Sequence, residues 1–222
     1  AWSKPLIQIA GMPLIGRVLH RLKEAGVQSV WIAVGYAADI VRQQIGDNYA
    51  GLKIQYINVK HWKKGNLYSL LATQGIFQQN FLLCMSDHIF DPEIPKRLIN
   101  SKLESAIVLA VDKVSETDTK VLERGGTILD IGKKINHSNI AIDTGVFLCS
   151  PKIFEYANQT TKEGSSELAD CVRIAGQSGD AQVVDVSGHL WADVDTKQDF
   201  DHAKRLIVED SQKKRGASDF VA

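Results

Sequence analysis

A chain of 222 residues, 44% hydrophobic and 23% charged, can bury one substantial core and has the make-up of a globular protein rather than a disordered polymer. Its 26 basic and 26 acidic residues cancel to a formal charge of zero, which speaks against a strongly basic nucleic-acid face. Cys84, Cys149 and Cys171 form neither a CxxC pair nor a Cys/His metal spacing, and no apolar run approaches the roughly 18 residues of a membrane span, so reduced thiols in a cytoplasmic compartment are expected.

After "SKPL", the segment "GMPLIGRVLHRLKEAG" sets Leu14, Val18, Leu19 and Leu22 at helical spacing, and Gly26 ends the run. "QSVWIAV" predicts a buried strand, "AADIVRQQIGD" a helix, "KIQYINV" a strand and "NLYSLLATQGIF" a helix. "NFLLCM" predicts a third strand, apolar up to Ser86 and Asp87. Strands alternating with helices imply right-handed βαβ units. The expected fold is therefore α/β and Rossmann-like, a mostly parallel mixed sheet with helices on both faces, which also explains why the strands are continuously apolar.

Beyond residue 100 the pattern changes. "SAIVLAV", "TKVLE", "GGTILDIG" and "NIAIDTGVFLC" predict strands with few helices between them, and "ERGG" a hairpin turn. "PKIFEYAN" and "SSELADCVRIAG" return to helix, the second with Ser166 as its cap. "AQVVDVSG" is a strand leading to Leu190 and Trp191, and "TKQDFDHAKRLIVED" the last long helix. Residues 1–210 thus form one domain, and 211–222 an aperiodic polar tail.

Ligands of an open parallel sheet bind beyond the carboxyl ends of its strands. Asp87 stands there, after an apolar strand, where it either reaches the crevice or turns the chain. His88 reads as a packing or hydrogen-bonding residue rather than a ligand. In "LWADVDT", Asp195 or Thr196 can cap the helix beginning at Lys197, whereas Asp193 lies before the turn. Mg²⁺ takes one or two carboxylates and completes its shell with phosphate and water, so Asp87 and Asp193 facing one crevice would suit it. Lys4 and Lys133 are point charges suited to phosphate, or else solvated surface lysines. "KKGNLYSLL" opens a helix where Gly65 and the free amides can approach an anion or a base edge, with Asn66 equally readable as a plain cap.

Taken in order, "SKPL", "KGNLYSLL", "MSDHIF", "IGKK", "IDTGVF" and "LWADVDT" resemble the nucleotidyltransferases that activate phosphorylated alcohols and sugars. The nearest likeness is to cytidylyltransferases acting on inositol 1-phosphate, with phosphocholine and sugar-1-phosphate enzymes further off; it runs from Lys4 to about Leu206. The resemblance implies a nucleotide-diphospho-sugar transferase type of fold and a Mg²⁺-dependent reaction of CTP, or another nucleoside triphosphate, with a phosphorylated polyol, sugar or choline. It places Lys4 on the nucleotide phosphates. Asp87 and Asp193 become metal ligands, with Asp195 the rival or supporting ligand. Gly65, Asn66 and Ser69 fall beside the base and ribose, Lys133 near the acceptor phosphate, and Asp143 and Gly145 where acceptor hydroxyls are held. A homodimer is one assembly compatible with it.

One departure stands out. The family begins with a strand and a glycine-rich loop, "L-A-A-G-x-G-x-R", and nothing like it precedes Ala1. The domain is therefore expected to be incomplete at its N-terminus, with a split core and poor stability alone. The ending "KKRGASDFVA" resembles the connector "S-D-G-F-V-S-R" that leads to a membrane-embedded CDP-alcohol phosphotransferase domain, although a frayed polar terminus also fits. Two readings of other classes stay open: a glycosyltransferase using "DVD" as its D-x-D, and a nucleotide-binding domain without catalysis.

Overall fold

A computed structural model describes residues 3–102, 104–113, 119–137 and 140–218, with side chains as far as residue 210. A 3-10 turn, Lys4–Leu6, leads into the hairpin β1 (Gln8–Ile9) and β2 (Met12–Pro13). That hairpin turns through Ala10 and Gly11, both at positive φ. Helix α1 (Leu14–Glu24) buries Leu14, Ile15, Val18, Leu19 and Leu22, and its Arg17 ties the hairpin down by donating to the Ile9 and Ala10 carbonyls.

β3 (Ser29–Val34), α2 (Ala38–Ile45), β4 (Asn48–Tyr49) and β5 (Leu52–Asn58) follow, then α3 (Leu67–Leu71), β6 (Phe81–Cys84), β7 (His88–Phe90) and α4 (Glu93–Asn100). The second half holds β8 (Ile107–Asp112), β9 (Lys120–Arg124), β10 (Thr127–Gly132), β11 (Ala141–Cys149), α5 (Ile153–Lys162), α6 (Leu168–Gln177), β12 (Ala181–Asp185), β13 (Trp191–Asp193) and α7 (Lys197–Ser218). Helix α3 is shorter than its apolar pattern predicts, and α7 runs past residue 210 into the segment expected to be an aperiodic tail. Residues 219–222 lie outside the described residues. No helix among the described residues is long and apolar enough to cross a membrane.

The α/β class and the mixed sheet hold, but most of the described strand pairings are antiparallel rather than parallel. Among the described pairings only β3–β5 and β8–β12 run parallel, in a three-stranded sheet ordered β3-β5-β4 and a six-stranded sheet ordered β6-β11-β8-β12-β10-β9. The reason lies in the connections. A parallel neighbour needs a long crossover, which α2 supplies between β3 and β5, whereas the β9–β10 hairpin turns at Gly125 and Gly126, both at positive φ, and can only reverse direction.

Each sheet ends on an edge strand, β3 in one and β6 in the other, and both line a largely apolar cavity of about 1000 Å³. Ile32 and Val30 form one wall, Leu82 and Cys84 the other, while Val18 and Leu19 of α1 close it from a face. Asn66, Ser69 and Asp87 are among its polar lining residues. The main core lies under the six-stranded sheet, where Leu109, Val111 and Phe147 pack on Ala157, Cys171 and Val172 of α5 and α6.

Candidate functional site

The site is built by a two-stranded ribbon. β7 and β13 pair antiparallel with Phe90 opposite Trp191, Ile89 opposite Ala192 and His88 opposite Asp193. The Val194 N–H then donates to the Asp87 carbonyl (3.1 Å), tying the "DVD" segment to the turn that carries Asp87. The start of α7 settles which residue caps it. The Asp199 N–H donates to Thr196 Oγ1 (3.2 Å) and the Thr196 N–H donates back to Asp199 Oδ2 (2.7 Å), a reciprocal cap that leaves Asp195 available.

Lys4 reaches the same point from the opposite end of the domain. Its Nζ lies 2.7 Å from Asp87 Oδ2 and 4.0 Å from Asp193 Oδ1, and it donates a hydrogen bond to Asp195 Oδ1. Burial works against the Lys4 charge, but the hydrogen bonds to Asp195 and Asp87 prevail and raise its pKa. Burial likewise opposes ionisation of Asp87, and hydrogen bonds from His88 and Lys4 overcome it, holding that carboxyl well below the usual range. Asp193 goes the other way. Its burial, with repulsion from Asp195 and Asp87, outweighs the attraction of His88 and Lys4 and pushes it up to about 6.

Asp193 Oδ1 is buried and has no hydrogen-bond partner among the described residues. A carboxylate oxygen withdrawn from water without a donor is costly, and a bound cation is one way to satisfy it. Asp87, His88 and Asp193 offer ligand atoms within 4.8 Å of one another, and Asp195 stands beside them through Lys4. The carboxylate oxygens of Asp87, Asp193 and Asp195 make a donor set that fits a divalent cation, with the His88 imidazole beside them.

His88, which the sequence marks as a packing or hydrogen-bonding residue, is the latter here. Its Nδ1 lies 3.2 Å from Asp87 Oδ1 and 3.8 Å from Asp193 Oδ1. Burial disfavours its charge, but the hydrogen bond to Asp87 and the fields of Asp193, Asp87 and Asp143 raise its pKa. Under its ring runs β11, whose register with β8 shifts between Asp143 and Phe147, a bulge centred on Gly145 at φ +74°. The Gly145 N–H donates to Asp143 Oδ1 (2.7 Å), and the Met85 N–H donates to the Gly145 carbonyl (3.1 Å). Asp143 and Gly145 thus adjoin the carboxylates through His88.

The remaining predicted residues divide. Ser69 and Asn66 line the same cavity as Asp87. Asn66 does not cap its own helix: its Oδ1 accepts the Leu168 N–H (2.7 Å), capping α6 in place of Ser166, whose predicted role is not observed. Gly65 is held at φ +147° with Ser166 packed where a side chain would begin. Lys133 is exposed beyond β10 and, among the described residues, makes no ion pair with the carboxylate cluster.

A lysine and three aspartates thus converge where strands of an α/β domain end. Residues 2–143 match the model of the MobA-like NTP transferase domain, and the chain belongs to that family of nucleotidyltransferases. Similar proteins include the bifunctional IPC transferase and DIPP synthase of Aquifex aeolicus, 30% identical over 212 residues, covering 92% of this chain and 47% of that protein. The protein of the same name from Archaeoglobus fulgidus is 29% identical over 217 residues, covering 96% of this chain and 42% of its own length. The chain therefore spans about half the length of these relatives. Among solved structures, the inositol-1-phosphate CTP transferase from T. maritima shares the fold with a TM-score of 0.82 at 24% identity, over 93% of this chain and 86% of that one.

Proposed function

We propose that the domain is a Mg²⁺-dependent cytidylyltransferase that converts CTP and inositol 1-phosphate into CDP-inositol and pyrophosphate. The observation that carries this reading is the convergence of Lys4, Asp87, Asp193 and Asp195, with a buried Asp193 oxygen lacking a donor among the described residues. The names of the similar proteins and of the T. maritima structure support the choice of nucleotide and acceptor. Asp87 and Asp193 would hold Mg²⁺, with Asp195 in support; bound there, it would offset negative charge on the reacting phosphates.

In this reading an oxygen of the acceptor phosphate attacks the α-phosphorus of CTP in line. A P–O bond forms as the bond to the β-phosphate breaks, and pyrophosphate leaves with the electron pair. No covalent enzyme intermediate is needed, because positioning and charge balance supply most of the rate. Lys4 balances the triphosphate and Lys133 the acceptor phosphate. Gly65, Asn66 and Ser69 border the base and ribose, and Asp143 and Gly145 the acceptor hydroxyls. The match to about half the length of relatives named as bifunctional supports reading residues 1–210 as the transferase domain. The likeness of "KKRGASDFVA" to a connector is the ground for reading 211–222 as leading toward a membrane-embedded CDP-alcohol phosphotransferase domain at the cytoplasmic face.

The test is pyrophosphate release by the full gene product across a panel of nucleotides and of acceptors that includes inositol 1-phosphate, sugar 1-phosphates and phosphocholine. Release chiefly with CTP and inositol 1-phosphate supports the assignment. Release chiefly with another pair replaces the substrates, and turnover of a nucleotide-sugar without pyrophosphate overturns the reaction class.

A further inference from the structure

We infer that His88 is a positioning residue for the metal site: its Nδ1–H fixes the Asp87 carboxylate toward Asp193, and position 145 is glycine because the His88 ring needs that space. This rests on the reading of Asp87 and Asp193 as ligands of a divalent cation. Asp87 sits in a turn between β6 and β7, where the backbone alone does not fix its side chain. Both of its oxygens are nonetheless held, Oδ2 by Lys4 at 2.7 Å and Oδ1 by His88 Nδ1 at 3.2 Å. Lys4 is a long flexible chain that can leave, whereas His88 is 12% exposed and fixed by its place in the β7–β13 ribbon.

The imidazole edge points between two carboxylates, with Nδ1 3.8 Å from Asp193 Oδ1, which accepts no hydrogen bond among the described residues. A donor in that position offsets the repulsion between two acids brought together. The opposite edge of the ring rests on β11. A Cβ added to Gly145 would lie 2.7 Å from both Cδ2 and Nε2, closer than real contacts allow, and the positive φ there adds strain for any other residue. The bonds from Met85 to the Gly145 carbonyl and from Gly145 to Asp143 lock this seat. The β11 bulge therefore sets the imidazole, and the imidazole sets the carboxylate.

The test is calorimetric titration of Mn²⁺ into the metal-free full gene product, comparing the wild type with H88N, H88Q, H88A and D87N, each checked for cooperative melting. An asparagine presents its N–H at the branch point that Nδ1 occupies, whereas a glutamine reaches toward the Nε2 position. H88A and H88Q are expected to lose about 10- to 100-fold in Mn²⁺ affinity, the range for an outer partner of a metal ligand. H88N is expected to stay close to wild type. Wild-type affinity in H88A, or an H88N as weak as H88Q, overturns the inference, and the second comparison decides even where H88A does not fold. D87N separates the two levels. If D87N loses affinity and H88A does not, only the role of His88 falls; if D87N binds Mn²⁺ like wild type, the metal reading itself fails.

Discussion

Lys4 and Asp87, 83 residues apart in sequence, form an ion pair of 2.7 Å in which the lysine nitrogen also faces Asp193 and Asp195. The ammonium stands where the carboxylates would gather a divalent cation, so the two cations compete for the same oxygens. Replacing the lysine removes one competitor. K4M is expected to bind Mn²⁺ about two- to fivefold more tightly without nucleotide, the scale of a part-exposed ion pair worth up to ~1 kcal/mol. Its affinity for the nucleoside triphosphate is expected to fall. Calorimetry checks both, and a K4M protein with weaker Mn²⁺ affinity contradicts the competition.

The carboxylates are expected to rank by burial. Asp193 and Asp87 are the more enclosed, and Asp195 is about half exposed. D87N and D193N are expected to lose at least about 10²- to 10³-fold in kcat, the range for removing a preorganised group that stabilises charge. D195N is expected to lose far less. Steady-state kinetics with circular dichroism as a fold control gives the ranking, and near-normal turnover in both D87N and D193N would sink the metal assignment.

Stability should depend on pH with a definite sign. Burial, reinforced by Asp195 and Asp87 and opposed by His88 and Lys4, raises native Asp193 to about 6; an unfolded aspartate titrates near about 4. Between those values the native state holds the extra proton, so this group's contribution to stability falls as pH rises through the window. Asp87, depressed in the native state, keeps its stabilising contribution there and loses it only at lower pH. Metal-free D193N is therefore expected to be more stable than wild type at pH 7. The gain should shrink toward pH 4. Thermal melts at several pH values check this, and a gain that grows on acidification contradicts it.

Gly65 joins two helix starts. Its φ of +147° and the Ser166 carbonyl oxygen, which lies against the place a Cβ would take, exclude a side chain. The next residue, Asn66, caps α6 through Leu168. G65A is expected to destabilise by about 1–3 kcal/mol, and N66A by about 1 kcal/mol through loss of the cap. Denaturant melts give both values, and a G65A protein as stable as wild type would show that the backbone there yields.

Part of this was legible in the sequence. Apolar runs located β3, β5, β6 and β8, and the position of Asp87 beyond such a run marked a strand-end carboxylate. The β7–β13 ribbon was not legible. Its strands are three residues each and about a hundred residues apart, too short for a periodicity and paired only through tertiary contact. For the same reason His88 reads locally only as a packing or hydrogen-bonding residue: its bond to Asp87 fits that, but nothing local announces that Asp193 lies opposite it. Asn66 reads as a cap or a base contact, and the helix it caps lies about a hundred residues away, information that no local window holds.

The central claim is transfer of a cytidylyl group at the site formed by Lys4, Asp87 and Asp193. Its most direct measurement supplies the full gene product and Mg²⁺ with inositol 1-phosphate and CTP labelled at the α-phosphate or, separately, at the γ-phosphate. The account predicts α-label in CDP-inositol and γ-label in pyrophosphate, in equal amounts, with both products lost in D87N. Nucleotide that binds but keeps both labels in CTP would contradict it.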